Sequence, residues 1–106
     1  MAVDATEETF SELVGEGSVL LDFWGPRCVP CLALMPHVEK LEESFPELRV
    51  VKVNAADNRQ ICRDLKVLGL PTYLLFRDGA EIDRITGQPT IAEIRAGVQR
   101  LLEGGG

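Results

Sequence analysis

Two cysteines three residues apart, Cys28 and Cys31, are the residues of this sequence best suited to chemistry. They follow the largely apolar run 19–23 and precede a helical pattern, so we expect them where a strand gives way to a helix. Free amide groups at a helix start favour negative charge, and the thiolate is the form of cysteine that attacks a disulfide. We therefore expect Cys28 to be the nucleophile. Cys31, one turn later, should be more buried and resolve the mixed disulfide.

The same two cysteines could instead hold a metal ion. A structural zinc site usually has four ligands, and the other candidates of the usual soft kind are Cys62 and His37. The surrounding loops do not resemble zinc knuckles, so we favour redox chemistry. We expect Cys62 to be a small buried hydrophobic residue, with a regulatory thiol as the alternative, and His37 to lie on the surface.

Composition limits the partners and the compartment. The length of 106 residues predicts a single domain spanning 1–106. The net charge of −6 argues against nucleic acid and anionic membranes, because both attract basic patches. Three cysteines are too few for a disulfide-stapled secreted scaffold, and the acidic N-terminus lacks a signal-peptide pattern. We expect a monomer in the cytoplasm.

The hydrophobic pattern predicts eight elements around the cysteines. Continuous apolar runs indicate strands covered on both faces, Asp78-Gly79 is a hairpin turn, and Thr90 with Glu93 forms a capping box. Pro36 should kink the second helix without ending it. In chain order the predicted elements are a helix at 4–14 capped by Asp4 or Thr6, a strand at 19–24, a helix at 29–45, a strand at 49–54, a helix at 59–66, strands at 72–77 and 81–86, and a helix beginning at Thr90. This order predicts a mixed sheet with helices on both faces.

Asp22 is an anomaly within the apolar strand at 19–24. A carboxylate buried there must be paired, protonated or hydrated. Burial should raise its pKa, so that it could accept a proton from Cys31, through water, during resolution. Other acids of the second helix and the segment after it should form a solvated face: Glu39, Glu42, Glu43 and Glu47.

Several short motifs resemble those of the thioredoxin family, and together they cover nearly the whole chain. Each motif is weak alone, but their order and spacing are specific. They are Asp22-Phe23-Trp24, Cys28-x-x-Cys31 with Pro36 five residues on, Lys52, Gly69-Leu70-Pro71-Thr72, Phe76, Gly79 and Gly87. The resemblance implies an α/β thioredoxin fold with a central mixed sheet of four to five strands and helices on both faces. Its first edge strand would be reduced to residues 2–3 or be absent.

The resemblance also implies roles for residues near the cysteines. Lys52 should lie near Asp22 and moderate the rise of its pKa, unless the two simply form a structural pair. Pro71 should be a cis-proline facing Cys28. Because proline has no amide donor, it would leave the backbone of Leu70 open to pair with an extended substrate segment.

Three further residues are implied as contacts of the substrate. Gly69 and Gly87 would let the backbone of a partner approach, with plain turn glycines as the alternative. Trp24 would mainly pack the active-site loop and would secondarily offer a contact surface.

Three residues depart from the usual pattern of the family. Arg27 stands where the family usually has Trp, Val29 where it has Gly, and Leu32 where it has Lys. We expect these changes to affect redox potential and partners more than the fold. A cation beside Cys28 should favour the thiolate and make the disulfide more oxidising, although Arg27 could equally be a solvated loop residue.

The activity that the resemblance implies is reduction of protein disulfides by dithiol–disulfide exchange through Cys28 and Cys31. The redox-active Cys28–Cys31 disulfide would need no cofactor, and an NADPH-dependent thioredoxin reductase would regenerate the dithiol. Two alternatives stay open: a disulfide oxidase or isomerase on the same fold, and a non-enzymatic module that holds a metal or a partner.

Overall fold

The computed structural model describes residues 1–104, in which a five-stranded sheet is flanked by helices. The elements are β1 (Val3–Asp4), α1 (Phe10–Val14), β2 (Ser18–Trp24), α2 (Val29–Glu39), α3 (Leu41–Ser44), β3 (Leu48–Asn54), α4 (Arg59–Asp64), β4 (Thr72–Arg77), β5 (Ala80–Ile85) and α5 (Ile91–Glu103). The strand order is β1-β3-β2-β4-β5. β1, β3 and β2 run parallel, whereas β4 runs antiparallel to both β2 and β5. This arrangement confirms the predicted thioredoxin fold.

β2 is the middle strand because it is apolar on both faces, apart from one residue. Every residue from Val19 to Phe23 is fully buried, Asp22 included. The strand pairs with β3 over its whole length and with β4 from Ser18 to Phe23. Side chains of a strand alternate between the faces, so Leu20 and Asp22 share one face of the sheet and Leu21 lies on the other.

Two apolar layers hold the helices against the sheet. One layer joins α1 and α4 to the face of the sheet that carries Leu21. The other layer joins α2, α3 and α5 to the face that carries Leu20, and it includes Val38, Tyr73 and Ile94. Burying each such side chain contributes roughly 1.5–3 kcal/mol before the loss of chain entropy is subtracted. Asp22 therefore lies on the side of the sheet that α2 covers.

The N-terminal helix predicted at 4–14 is wrong in its first half. Val3 and Asp4 instead form the short edge strand β1, which pairs with Val51 and Lys52 of β3. α1 begins only at Phe10, and Asp4 does not cap it. Thr6 does cap the turn that leads into the helix, because its Oγ1 accepts from Thr9 N–H at 3.2 Å and its backbone oxygen accepts from Phe10 N–H at 3.0 Å. A turn precedes the helix, because Thr6 N–H donates to Thr9 Oγ1 at 2.9 Å. Pairing with β3 outweighs the local helix preference of this segment.

The helix predicted at 29–45 is two helices, α2 and α3, separated at Lys40. Pro36 lies inside α2 and has no N–H to donate, and the helix ends three residues later. The apolar stripe nevertheless continues across the break, because Val38 and Leu41 are both fully buried. Packing against the sheet thus keeps the two helices on one face although the helical hydrogen bonding is interrupted.

The structure confirms the predicted hairpin turn and the predicted capping box of the last helix. Asp78 and Gly79 have φ of 49° and 85°, the left-handed values that a tight hairpin between β4 and β5 requires. At the start of α5, Thr90 Oγ1 accepts from Glu93 N–H at 3.1 Å and Glu93 Oε1 accepts from Thr90 N–H at 3.0 Å. Both signals depend only on residues close in sequence, which is why the sequence reveals them.

Candidate active site

Cys28 and Cys31 are joined by a disulfide at the start of α2, with their Cα atoms 5.2 Å apart. Cys28 is the N-cap residue of this helix, and its Sγ accepts from Cys31 N–H at 3.3 Å. Its own N–H donates to Gly25 O at 3.1 Å, which closes the loop between β2 and α2. Cys28 is half-buried whereas Cys31 is fully buried. Of the two cysteines, only Cys28 is therefore accessible to another molecule.

Asp22 is a fully buried carboxyl group without a hydrogen-bond partner among the described residues. In the sheet it lies opposite Lys52 of β3 and Tyr73 of β4. Burial raises the pKa of Asp22 to about 7, while the charge of Lys52 lowers it and the charge of Glu39 raises it further. Burial also raises the pKa of the Tyr73 hydroxyl, which likewise lacks a partner within residues 1–104. A proton can therefore move on or off Asp22 near neutral pH.

Lys52 is close to Asp22 in the sheet but forms its ion pairs elsewhere. Its Nζ lies 2.7 Å from Glu39 Oε2 of α2 and 3.8 Å from Asp4 Oδ1 of β1. The hydrogen bond that Lys52 Nζ donates to Glu39 is the main reason that the pKa of Lys52 is raised. In the part of the chain that the structure describes, no ion pair joins Lys52 to Asp22, although the charge of Lys52 still lowers the pKa of Asp22.

Two acids assigned to a solvated face are instead structural. Glu39 holds Lys52, and Glu42 accepts from Val50 N–H at 2.8 Å and pairs with the N-terminal amine of Met1 at 2.8 Å. The sequence offered one signal for Glu39. Glu39 follows Cys31 by eight residues, a little more than two helical turns. Its side chain therefore lies on about the same side of α2 as that of Cys31.

The loop before β4 packs against the loop that carries the disulfide. The Leu70–Pro71 peptide bond is cis, and Thr72 Oγ1 donates to Gly69 O at 2.6 Å. A Cβ atom placed on Gly25 would lie 3.1 Å from Leu70 Cδ1, so Leu70 lies directly against the start of the active-site loop. This contact brings Leu70 beside the loop whose end is Cys28.

Space is left open at two of the predicted contact residues, Gly69 and Gly87. Nothing lies within 4 Å of a Cβ atom placed on Gly69 or on Gly87, and Gly87 has a φ of +84°. Trp24, at the end of β2, is half-buried. Its indole N–H has no partner in the described chain. The two glycines therefore leave room for a partner, whereas the indole nitrogen of Trp24 is buried.

Comparison with known proteins identifies the family to which this geometry belongs. The thioredoxin family model matches residues 1–100. A thioredoxin of Acetoanaerobium sticklandii is 39% identical over 92 residues, which are 85% of this chain and 88% of that protein. The thioredoxin of Bacillus subtilis is 35% identical over 86 residues, 80% of this chain and 83% of that protein.

The chain belongs to the thioredoxin family. A mutant thioredoxin from Halobacterium salinarum has the same fold, with a TM-score of 0.88 over 94% of this chain and 89% of that one at 24% identity. The protein is accordingly a thiol–disulfide oxidoreductase, a protein-disulfide reductase whose active disulfide is the Cys-x-x-Cys pair at Cys28 and Cys31.

The departures from the usual thioredoxin pattern lie on the surface around the disulfide. Val29 is 74% exposed and Leu32 is 43% exposed, so two apolar side chains are open to solvent in the first turn of α2, directly after Cys28. Arg27 is exposed and forms no ion pair within residues 1–104. None of the three enters the core, which explains how the thioredoxin fold accommodates them.

The metal-binding alternative needs Cys62 and His37 to join the two disulfide cysteines as ligands, and the described structure does not bring these side chains together. Cys62 packs half-buried against the layer under α4, on the opposite face of the sheet from α2, and burial raises the pKa of its thiol. His37 is exposed on α2. Among residues 1–104, no three side chains of the His, Cys, Asp or Glu type converge as ligands of one ion.

Among the described helices, none combines the length and the hydropathy needed to cross a bilayer.

Proposed function

We propose that Cys28 is the nucleophile of dithiol–disulfide exchange and that Cys31 resolves the mixed disulfide. The observation that carries this assignment is the difference in exposure between the two cysteines at the start of α2. In the reduced protein the Cys28 thiolate attacks a substrate disulfide and releases one substrate thiol. The Cys31 thiolate then attacks Cys28 Sγ, releases the second thiol and closes the Cys28–Cys31 disulfide. Two electrons pass to the substrate in this cycle.

Asp22 is proposed as the group that receives the proton of Cys31 during resolution. Its carboxyl group lies on the sheet face beneath α2 and forms no hydrogen bond with the described chain. A pKa of about 7 suits a base that must be regenerated at neutral pH. Lys52 is a positioning residue in this proposal, because its charge limits how far the pKa of Asp22 rises.

Substrate binding is proposed at the surface around the disulfide. Within residues 1–104 the backbone of Leu70 forms no hydrogen bond, so it is available to an extended substrate segment. Pro71 has no N–H to donate, so the stretch of backbone available for pairing ends at Leu70. The open space beside Gly69 and Gly87 leaves room for the backbone of the substrate. Trp24 and Arg27 complete the proposed contact surface.

The cellular setting is proposed from the family. The substrates are protein disulfides, and an NADPH-dependent thioredoxin reductase returns Cys28 and Cys31 to the dithiol. Residues 1–106 would act as one domain, as a monomer, in the cytoplasm.

Trapping the mixed disulfide tests the two cysteine roles. Cys31→Ser should accumulate a covalent complex with a disulfide substrate such as insulin, whereas Cys28→Ser should form none. Mass spectrometry of the trapped peptide identifies the cysteine that carries the substrate. A substrate adduct on Cys31 in the Cys28→Ser protein at a comparable rate would contradict the assignment.

The direction of exchange is tested by equilibrating the wild-type pair against glutathione buffers. A reductase should give a potential near about −270 mV, the value characteristic of thioredoxins, and an oxidase a value nearer about −120 mV.

A further inference from the structure

A groove of about 500 Å³ runs between α4 and the loop that precedes β4. Arg59 and Arg63 of α4 lie along it, one helical turn apart, and Leu68 and Leu70 of the loop lie along it as well. Leu68 is 97% exposed and Leu70 is 37% exposed, so the apolar side chains of this loop are open to solvent. The groove thus combines an apolar side with a basic side.

This groove lies next to the active-site loop. Ala55, one of its lining residues, donates its N–H to Trp24 O at 2.8 Å, and Trp24 is the residue before Gly25. Leu70, which also lines the groove, packs against Gly25. Gly25 O in turn accepts from Cys28 N–H. A peptide whose disulfide is attacked by Cys28 can therefore continue from Leu70 into the groove.

The positive charges of the groove are not neutralised by the protein itself. Arg59 forms neither an ion pair nor a side-chain hydrogen bond in the described chain, and Arg63 donates only to the neutral Gln60 Oε1, at 3.1 Å. No carboxylate is among the residues lining the groove. The guanidinium groups therefore keep their capacity to pair with a carboxylate of another molecule.

The charge of the groove is opposite to that of the molecule as a whole. The protein has a net charge of −6, and a separate cleft beside Trp24 is lined by Asp4, Glu7, Glu8 and Asp57. Arg59 and Arg63 are thus a local basic site on an acidic protein. Such a site attracts an acidic segment at short range, whereas the net charge repels a polyanion such as nucleic acid.

We propose that this groove, lined by Arg59, Arg63, Leu68 and Leu70, binds protein substrates that carry acidic residues close to the target disulfide. The apolar side would hold an aliphatic or aromatic side chain, and the two arginines would pair with one or two carboxylates of the same segment. The inference rests on the proposed attack by Cys28, and it adds a substrate preference to that activity.

Three peptides with the same intramolecular disulfide and the same apolar neighbour test the preference. Two positions beside one cysteine carry glutamate in the first peptide, glutamine in the second and lysine in the third. We expect the kcat/KM for reduction to be about threefold to tenfold higher for the glutamate peptide than for the glutamine peptide, mainly through KM. Raising the salt concentration should reduce this ratio, because exposed charge pairs are screened.

Variants of Arg59 and Arg63 test whether the preference for glutamate comes from the groove or from the rest of the surface. In the double variant Arg59→Gln/Arg63→Gln, the kcat/KM for the glutamate peptide divided by that for the glutamine peptide should fall to about one. Arg95→Gln is the matched control, because Arg95 is exposed on α5 and forms no ion pair in the described chain. It should keep the wild-type ratio, and circular dichroism verifies that each variant is folded.

Each remaining outcome has a definite meaning. Equal kcat/KM for the three peptides with the wild-type protein would overturn the groove proposal and leave the activity of Cys28 intact. Failure to reduce any peptide would instead contradict the proposed function. A salt-sensitive dimer that the double variant abolishes would show that a second copy of the chain occupies the groove, and this too would overturn the proposal.

Discussion

Arg27 places a positive charge immediately before Cys28, where the chemistry begins. The side chain is exposed, so its influence on the thiolate acts through solvent and should be modest. Arg27→Ala should lower the thiolate fraction of Cys28 at a given pH. The midpoint of the pH dependence of alkylation by iodoacetamide should rise by roughly half a unit in the reduced protein.

Arg27→Lys is the matched control for this change, because it keeps the charge and removes the guanidinium. It should show the wild-type midpoint. If both variants shift alkylation equally, the shape of the side chain rather than its charge is responsible, and the electrostatic argument fails.

At the scale of elements, the ion pair between α2 and β3 controls the environment of the buried acid. Glu39 holds Lys52 at 2.7 Å, and neither group contacts Asp22 directly. Glu39→Gln removes a negative charge that raises the pKa of Asp22 and frees Lys52 to move toward the carboxyl group. We expect the pKa of Asp22 to fall by roughly one unit.

Carbon-13 NMR of the Asp22 carboxyl group measures this shift without relying on activity. Glu43→Gln is the control, since Glu43 lies near the same ion pair but forms none with Lys52 among residues 1–104. An unchanged titration in Glu39→Gln, or an equal fall in Glu43→Gln, would show that the ion pair does not set the environment of Asp22.

The start of α5 offers a second prediction at this scale. The capping box of Thr90 and Glu93 satisfies amide groups that the first turn of the helix leaves open. Thr90→Ala should reduce the free energy of unfolding in urea by about 1 kcal/mol. Thr86→Ala, at an exposed threonine before the helix, should have a much smaller effect, and equal losses would indicate that the cap contributes little.

For the whole molecule, the titration of Asp22 makes stability depend on pH. Its pKa is about 7 in the folded chain and 3.8 as the ordinary value. Between these values the folded state binds more protons than the unfolded state, so the free energy of unfolding falls as pH rises from about 4 to about 7. Above that range the destabilisation is complete and constant.

Asp22→Asn removes this penalty. The variant should unfold at nearly the same urea concentration as the wild type at pH 4 and be more stable at pH 8, by about 3–4 kcal/mol at most. Asp57→Asn, at an exposed carboxylate, should show no gain of this size. A stability difference that is the same at both pH values would mean that Asp22 does not titrate in the folded protein as described.

The sequence by itself determines the features that depend on neighbouring residues. The Cys-x-x-Cys pair, the buried strand that contains Asp22, the Asp78-Gly79 turn and the Thr90 cap each use residues within a few positions of one another. The hydrophobic pattern also predicts the order of strands and helices. Buried residues recur about every two positions in a strand and about every 3.6 positions in a helix.

Tertiary structure alone decides which distant groups meet. β1 forms because β3 offers it an edge, Lys52 pairs with Glu39 rather than Asp22, and Arg59 comes to line the same groove as Leu70. No local preference encodes these contacts, because each joins segments far apart in the chain. Their geometry exists only once the sheet is assembled and its helices are packed.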